Sequence, residues 1–354
     1  MGAMGSENGK TKESEMATSA ASQPSPEIIF STLVAYQNAY TLKAAIELDL
    51  FTVIAEGASE VAALAERVQA SGRGVRILAD GLTVQGFLRK ENGKYSLTPE
   101  SALFLDKRSP AYVGGMAEFL TSEENVSNFS RFADCVRKGG TASNIGDNSK
   151  PVDHRWVNFA RSMASMAGPM AGVLSQFVNR NAAGEIRVLD IAAGHGMYGV
   201  TVAKNNPRVH VTAVDWAPVL EVAKENAEKA GVAERYEVRP GSAFDVDLGE
   251  GYDCVFITNF LHHFDVPTSE MLLRRFHGAL KPGGRAITVE FVPNEDRVSP
   301  PMAAAFSLVM LAHTDAGDAY TFSEYEKMHR NAGFRNCTLQ QIPDLPQRLV
   351  IGEK

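Results

Sequence analysis

The sequence predicts an α/β protein with a parallel sheet in its C-terminal half and a smaller, mainly helical unit before it. Three observations carry this. From Ile186 onward, short apolar runs alternate with helix-compatible segments, the pattern of a parallel sheet covered by helices. The stretch Val-Leu-Asp-Ile-Ala-Ala-Gly-His-Gly-Met-Tyr-Gly over residues 188–199 ends an apolar run on Asp190 and then turns through Ala192, Ala193, Gly194 and Gly196 into a helix-compatible segment. Small residues let backbone amides approach a ligand, and the helix N-terminus behind them favours negative charge. The chain closes with two strand candidates, 337–342 and 348–351, joined by only 343–347. So short a link forces an antiparallel pair. The expected fold is a Rossmann-like sheet with an antiparallel last strand.

Taken in order, Met1 to Ser6 read as a cloning scar at the head of a polar tail over 1–26, expected to be mobile. Residues 27–50 predict a helix whose Leu33, Tyr36, Tyr40, Leu42, Ala44, Ile46 and Leu48 give it more apolar surface than a small unit can cover. Contact with a second copy is the preferred reading; a core helix within the chain is the alternative. Ser59 is the candidate N-cap of a helix over 61–68, and a further helix covers 75–88. Asn92-Gly93 between 89–97 signals a hairpin. Helix, turn, helix and hairpin make a winged-helix pattern. Its second helix carries few cations, so a dimerisation platform is favoured over DNA binding. A unit over 27–120 is followed by connecting helices over 121–180. There Trp156, Phe159, Met163 and Met166 fall on one helical face, as core or as pocket lining.

In the sheet unit, 181–354, the strand candidates are 188–189, 209–214, 236–238, 254–258 and 286–290. Asp215 ends the second, where an acid accepts hydrogen bonds from a ribose diol. With Asp190 and the glycine turn it marks a nucleotide-type cofactor site. Gly194, Gly196 and Gly199 also fit Gly-x-Gly-x-x-Gly, a weak dinucleotide signal on its own. Asp190, which would repel a diphosphate, and the antiparallel end of the sheet argue against that rival. A capping box at Thr321 to Glu324 opens a helix ending near Gly333.

Composition sets bounds. The chain has 354 residues, a formal net charge of −7 and three scattered cysteines. The charge opposes broad nucleic-acid binding, and the cysteines suggest a reducing compartment, hence the cytoplasm. No apolar run reaches membrane-spanning length. No metal-type cysteine spacing occurs. His262, His263 and Asp265 could suggest a metal, but adjacent histidines at a strand end are expected to point to opposite sides, so no metal is expected.

The order of these motifs resembles the class I S-adenosylmethionine-dependent methyltransferases over 150–354. The N-terminal unit narrows the resemblance to small-molecule O-methyltransferases of plant and bacterial type, laid out like the acetylserotonin and caffeate enzymes. The resemblance implies S-adenosylmethionine as cofactor, no metal, a homodimer and a small-molecule acceptor, with neither nucleic acid nor membrane as partner. Asp190, Ala192, Gly194 and Gly196 match the family's Asp-x-Gly-x-Gly-x-Gly with Ala at its first Gly. Asp215 matches the ribose acid. Ser242, Ala243 and Phe244 match the adenine edge, with Ser for the usual Asp. Trp216, Asn259 and Met163 join the cofactor group. His262 falls on the catalytic base and Glu290 on the acid that orients it. Ala319 stands where a second family acid is expected. Trp156, Phe159, Met166, His263 and His313 are the implied acceptor pocket, and His195 contributes backbone to the cofactor turn.

The expected function is O-methylation of a hydroxylated aromatic or polyketide-like molecule. A phenol with a pKa near 10 is barely ionised at neutral pH, and a histidine near 6.5 can take its proton. Two alternatives remain: a non-methylating enzyme on the same scaffold (decarboxylase, hydroxylase or pericyclase), kept open by Ala319 and by His263, and a ligand-sensing winged-helix regulator.

Overall fold

The structure is a computed structural model that describes residues 24–142, 154–178 and 184–354. Most of the predicted tail lies outside the described residues, as do 143–153 and 179–183.

The single helix expected over 27–50 is three: Glu27–Leu33, Ala35–Glu47 and Leu50–Ala55. The second break falls at Asp49, whose φ of 55° is left-handed, a conformation Asp tolerates better than most residues. Ser59 does not cap the next helix, Val61–Arg67. Glu60 holds that position without a side-chain bond, and the Ser59 carbonyl instead accepts from the Tyr95 amide at 2.8 Å. The following helix is Gly72–Val84, capped by the Ser71 hydroxyl on the Gly74 amide. Strands β1 (Leu88–Glu91) and β2 (Lys94–Leu97) form the expected antiparallel hairpin. Asn92 and Gly93 take φ of 49° and 80°, the two positive values that a tight hairpin turn requires. Leu50, Phe51, Leu64, Val75, Leu82 and Tyr95 close a core of their own.

The C-terminal unit is one seven-stranded sheet built from β3 (Ile186–Ile191), β4 (Val209–Asp215), β5 (Tyr236–Pro240), β6 (Tyr252–Thr258), β7 (Leu280–Glu290), β8 (Arg335–Gln341) and β9 (Arg348–Glu353). The order is β5-β4-β3-β6-β7-β9-β8. β9 runs antiparallel to β8, as the short 343–347 link demands, and antiparallel to β7 as well. Chain order reverses beside β3, which pairs in parallel with β4 on one side and β6 on the other. Open α/β sheets bind ligands outside the carboxyl ends of the strands at such a switch point. Asp190, Asp215 and Glu290 all lie at those ends.

Candidate active site

The crevice begins where β3 ends. Ala192, Gly194 and Gly196 have φ of 52°, 57° and 71°, so the turn runs through three left-handed residues. Ala192 is the strained member, since only glycine takes this conformation without steric cost. Asp215 braces the turn from the next strand. Its two carboxylate oxygens accept the Gly194 amide at 2.8 Å and the Trp216 amide at 2.7 Å. Burial pushes its carboxyl up to about 6, against the pull of those two amides. A cavity of about 330 Å³ opens beside it, walled by Ala192, Asp215, Trp216, Ser242, Ala243, Phe244 and Phe260 among others. The residues assigned to the ribose and adenine thus share one cavity.

Asp190 lies beneath this wall and is fully buried. Among the described residues no side chain pairs with its carboxylate, and only the Gly199 amide approaches it. Burial pushes its carboxyl up to about 7; the Gly199 amide works against this and the Asp215 charge adds to it. The Asn259 side-chain oxygen, just past the end of β6, is likewise buried, with only the Tyr198 hydroxyl approaching its side chain. Buried acceptors so sparsely paired call for a donor or a cation. The ammonium of an amino-acid moiety fits them, and a diphosphate does not.

Gly196 also has a packing role. A Cβ there would meet the Tyr236 hydroxyl at 2.5 Å and the Ala223 Cβ at 2.7 Å, so it faces the interior. Gly199 is also a packing glycine, with Val211 at 2.8 Å from such a Cβ. Together they seat helix Met197–Asn205 against β4 and its neighbours. His195 is part of the turn's scaffold: its Nδ1 accepts the Met197 amide at 3.0 Å, and burial pushes its pKa down to about 4.

The second half of the site stands on β6 and β7. Asn259, at φ 50°, leads into a 3-10 turn over Leu261–His263. Glu290 at the end of β7 is fully buried. Its Oε1 accepts the Phe260 and Leu261 amides, each at 2.9 Å, and its Oε2 lies 2.5 Å from His262 Nδ1. One carboxylate therefore fixes both the turn and the imidazole. A carboxylate accepts only, so Nδ1 carries the proton and Nε2 keeps its lone pair.

The expectation that His262 and His263 face opposite ways is wrong. They sit on a 3-10 turn and not on a strand, and their ring centroids are 4.4 Å apart. His263 packs edge-on against Trp156 at 5.7 Å. Asp265 caps helix Val266–Ala279 through the Thr268 amide, a structural task separate from either histidine.

Trp156 continues to Phe159, and Phe159 to Phe119, at centroid distances of 5.7 and 4.9 Å. Trp156 and Trp216 both pack on the Ala160, Val219 and Val222 cluster, which joins the aromatic wall to the cofactor cavity. Met163 ends helix His154–Met163 and is half-buried. Met166 leaves the stripe: it stands on a 3-10 turn and is 43% exposed. His313 lies at the far end of helix Pro301–His313, with Nδ1 on the Val309 carbonyl and its ring 5.7 Å from Phe129. Sequence reasoning missed Phe306 on that helix, whose ring stands edge-on to His262 at 4.9 Å and stacks on Phe291. The helix is apolar nearly all round, so no face marked Phe306.

The family described as the O-methyltransferase domain matches residues 147–335, and the O-methyltransferase dimerisation domain matches 31–107. The 3-hydroxy-5-methyl-1-naphthoate 3-O-methyltransferase of Streptomyces sahachiroi is 27% identical, over 83% of this chain and 85% of the relative. The tetracenomycin polyketide synthesis 8-O-methyl transferase TcmO of Streptomyces glaucescens is 26% identical, over 93% and 97%. A solved structure from Nostoc punctiforme assigned to the O-methyltransferases superposes with a TM-score of 0.89 at 47% identity, covering 94% of this chain and all of that one.

Proposed function

The chain belongs to the O-methyltransferase family, and from that premise we propose that it methylates a hydroxyl of an aromatic or polyketide-like small molecule, with His262 as the general base. The carrying observation is the buried His262 and Glu290 pair at 2.5 Å, set among aromatic rings beside the cofactor crevice. Trp156, Phe306 and Phe291 suit a flat aromatic acceptor. The names of the two Streptomyces relatives, a naphthoate and a polyketide methyltransferase, support the same class.

Bound S-adenosylmethionine supplies a methyl group on a positively charged sulfur. Asp190 and Asn259 would receive its ammonium, Asp215 its ribose, and Ser242 and Phe244 its adenine. His262 Nε2 takes the acceptor's proton as the methyl arrives. Glu290 keeps the tautomer that leaves Nε2 free and stabilises the imidazolium once formed. The aromatic walls exclude water and orient the hydroxyl. Position and charge are the protein's whole contribution.

The test is acceptor acidity. His262→Ala should cut turnover on ordinary phenols by roughly 10²–10⁴ while cofactor affinity holds. The loss should shrink on acidic phenols, which arrive already ionised. Glu290→Gln should cost less than the histidine change, because the base remains. Equal losses across acceptors of very different acidity would show that His262 positions the acceptor without deprotonating it.

A further inference from the structure

Glu290 holds the catalytic turn from the β7 side. The support on the opposite side comes from the segment carrying Ala319, which is fully buried and offers no carboxylate. A Cβ at Gly317 would lie 2.2 Å from the His262 carbonyl oxygen, 2.8 Å from the Thr314 hydroxyl and 2.9 Å from the His263 carbonyl carbon. The Gly317 backbone therefore rests directly on the His262 and His263 backbone. Its amide donates to Thr314 Oγ1 at 2.9 Å, and that hydroxyl donates to the Met310 carbonyl at 2.7 Å. This ties the contact to helix Pro301–His313, which also brings Phe306 against the His262 ring. Three residues on, the Tyr320 hydroxyl donates to the Phe264 carbonyl at 2.6 Å. Gly317 and Tyr320 thus hold successive carbonyl groups from His262 to Phe264, on the C-terminal side of the turn.

We propose that Gly317 and Tyr320 are positioning residues that clamp the turn bearing His262, so that a backbone contact and one hydroxyl hold it from the side where Ala319 offers no carboxylate. The proposal rests on His262 being the base. Its physical content is distance. A side chain at position 317 forces the His262 carbonyl or the loop to shift by about an ångström, a misplacement that can cost about 10²-fold in rate.

The test uses the full chain labelled with 15N-histidine and saturated with S-adenosylhomocysteine. The proton shared between His262 Nδ1 and Glu290 is assigned by its loss in His262→Ala. In Gly317→Ala that resonance should move and exchange faster with water, and the protonation midpoint of His262 should shift. Turnover should fall about 10- to 100-fold, with the larger loss on weakly acidic phenols and cofactor affinity within twofold. Tyr320→Phe removes one hydrogen bond and no packing volume. It should give a smaller change of the same kind, and it carries the test if Gly317→Ala does not fold. A His262 resonance and titration unchanged in Tyr320→Phe and in any folded Gly317→Ala would overturn the clamp. If instead the resonance moves but His262→Ala keeps full turnover on every phenol, the base assignment falls, and the clamp's catalytic role with it.

Discussion

At the scale of single residues, Asp190 makes the sharpest prediction. Its folded-state pKa is pushed up to about 7 by burial, against an ordinary value near 3.9. Between those values the folded chain holds a proton that the unfolded chain has lost. Asp190 therefore favours folding below about pH 4, and that contribution is lost as pH rises through about 7. Asp215, raised to about 6, has the same sign. His195 and His329, both lowered to about 4 by burial, have the opposite one: they cost stability as pH falls below about 6.5. A comparison with Asp190→Asn isolates the first term. In denaturant melts without cofactor, the variant should gain on the native protein by up to about 4 kcal/mol as pH rises from 4 to 7. If the ammonium of S-adenosylhomocysteine meets the ionised carboxylate as proposed, that ligand should flatten the native slope, and NAD should not. Parallel pH curves for the two proteins would rule out the buried charge. Strand ends and the glycine turn single out Asp190 and Asp215 in the sequence, and the family resemblance adds His262 and Glu290. They could not reveal that His263 shares a side with His262. That depends on a 3-10 turn held by Glu290 amide contacts from another strand, which no local spacing encodes.

At the scale of elements, legibility followed how local the cause was. The hairpin at Asn92-Gly93 and the capping box at Thr321 and Glu324 were read correctly because the deciding bonds lie within a few residues. The apolar spacing over 27–50 runs through and predicts one helix, while the breaks rest on local backbone, at Val34 and at the left-handed Asp49. Ser59 was misread as a cap because its carbonyl is claimed by a strand 36 positions away, through Tyr95. The glycine turn shows both sides. Its existence is plain in the sequence, but that Gly196 and Gly199 pack inward while Gly194 meets almost nothing needs three dimensions. Gly199→Ala tests that division. The new Cβ would press on Val211 at 2.8 Å and on the Tyr236 ring at 3.2 Å, overpacking that costs about 1–3 kcal/mol. It would also crowd Asp190 Oδ2 at 3.1 Å. Equilibrium denaturation should show the stability loss, and calorimetry should show weaker S-adenosylhomocysteine binding. A variant as stable as the native chain would mean the helix moves aside freely.

At the scale of the whole molecule, the question is what covers the N-terminal apolar surface. Helix Glu27–Leu33 buries none of its residues in the single chain. Phe30, Leu33 and Tyr36 are each more than 60% exposed, and Ile28 and Ile29 stand beside them. An exposed contiguous apolar patch of this kind marks an interaction surface. DNA is a poor candidate for it. Arg76 and Lys90, two cations of the N-terminal unit, are both paired with Asp80, and the chain is acidic overall. A second copy fits better, given the match of 31–107 to a dimerisation domain. Light scattering at micromolar concentration should return twice the chain mass, with an interface of more than about 2,000 Å² as obligate dimers have. Phe30→Asp together with Leu33→Asp places two charges on that face and should drive the protein to monomer or aggregate, lowering its melting temperature. Because the same helices lead into the elements that carry Trp156 and Phe119, the monomer should also bind acceptor less tightly, while its cofactor crevice, built wholly from the sheet, keeps its affinity. A native protein that runs as a stable monomer, or a double variant that remains dimeric, would show that this face serves another partner.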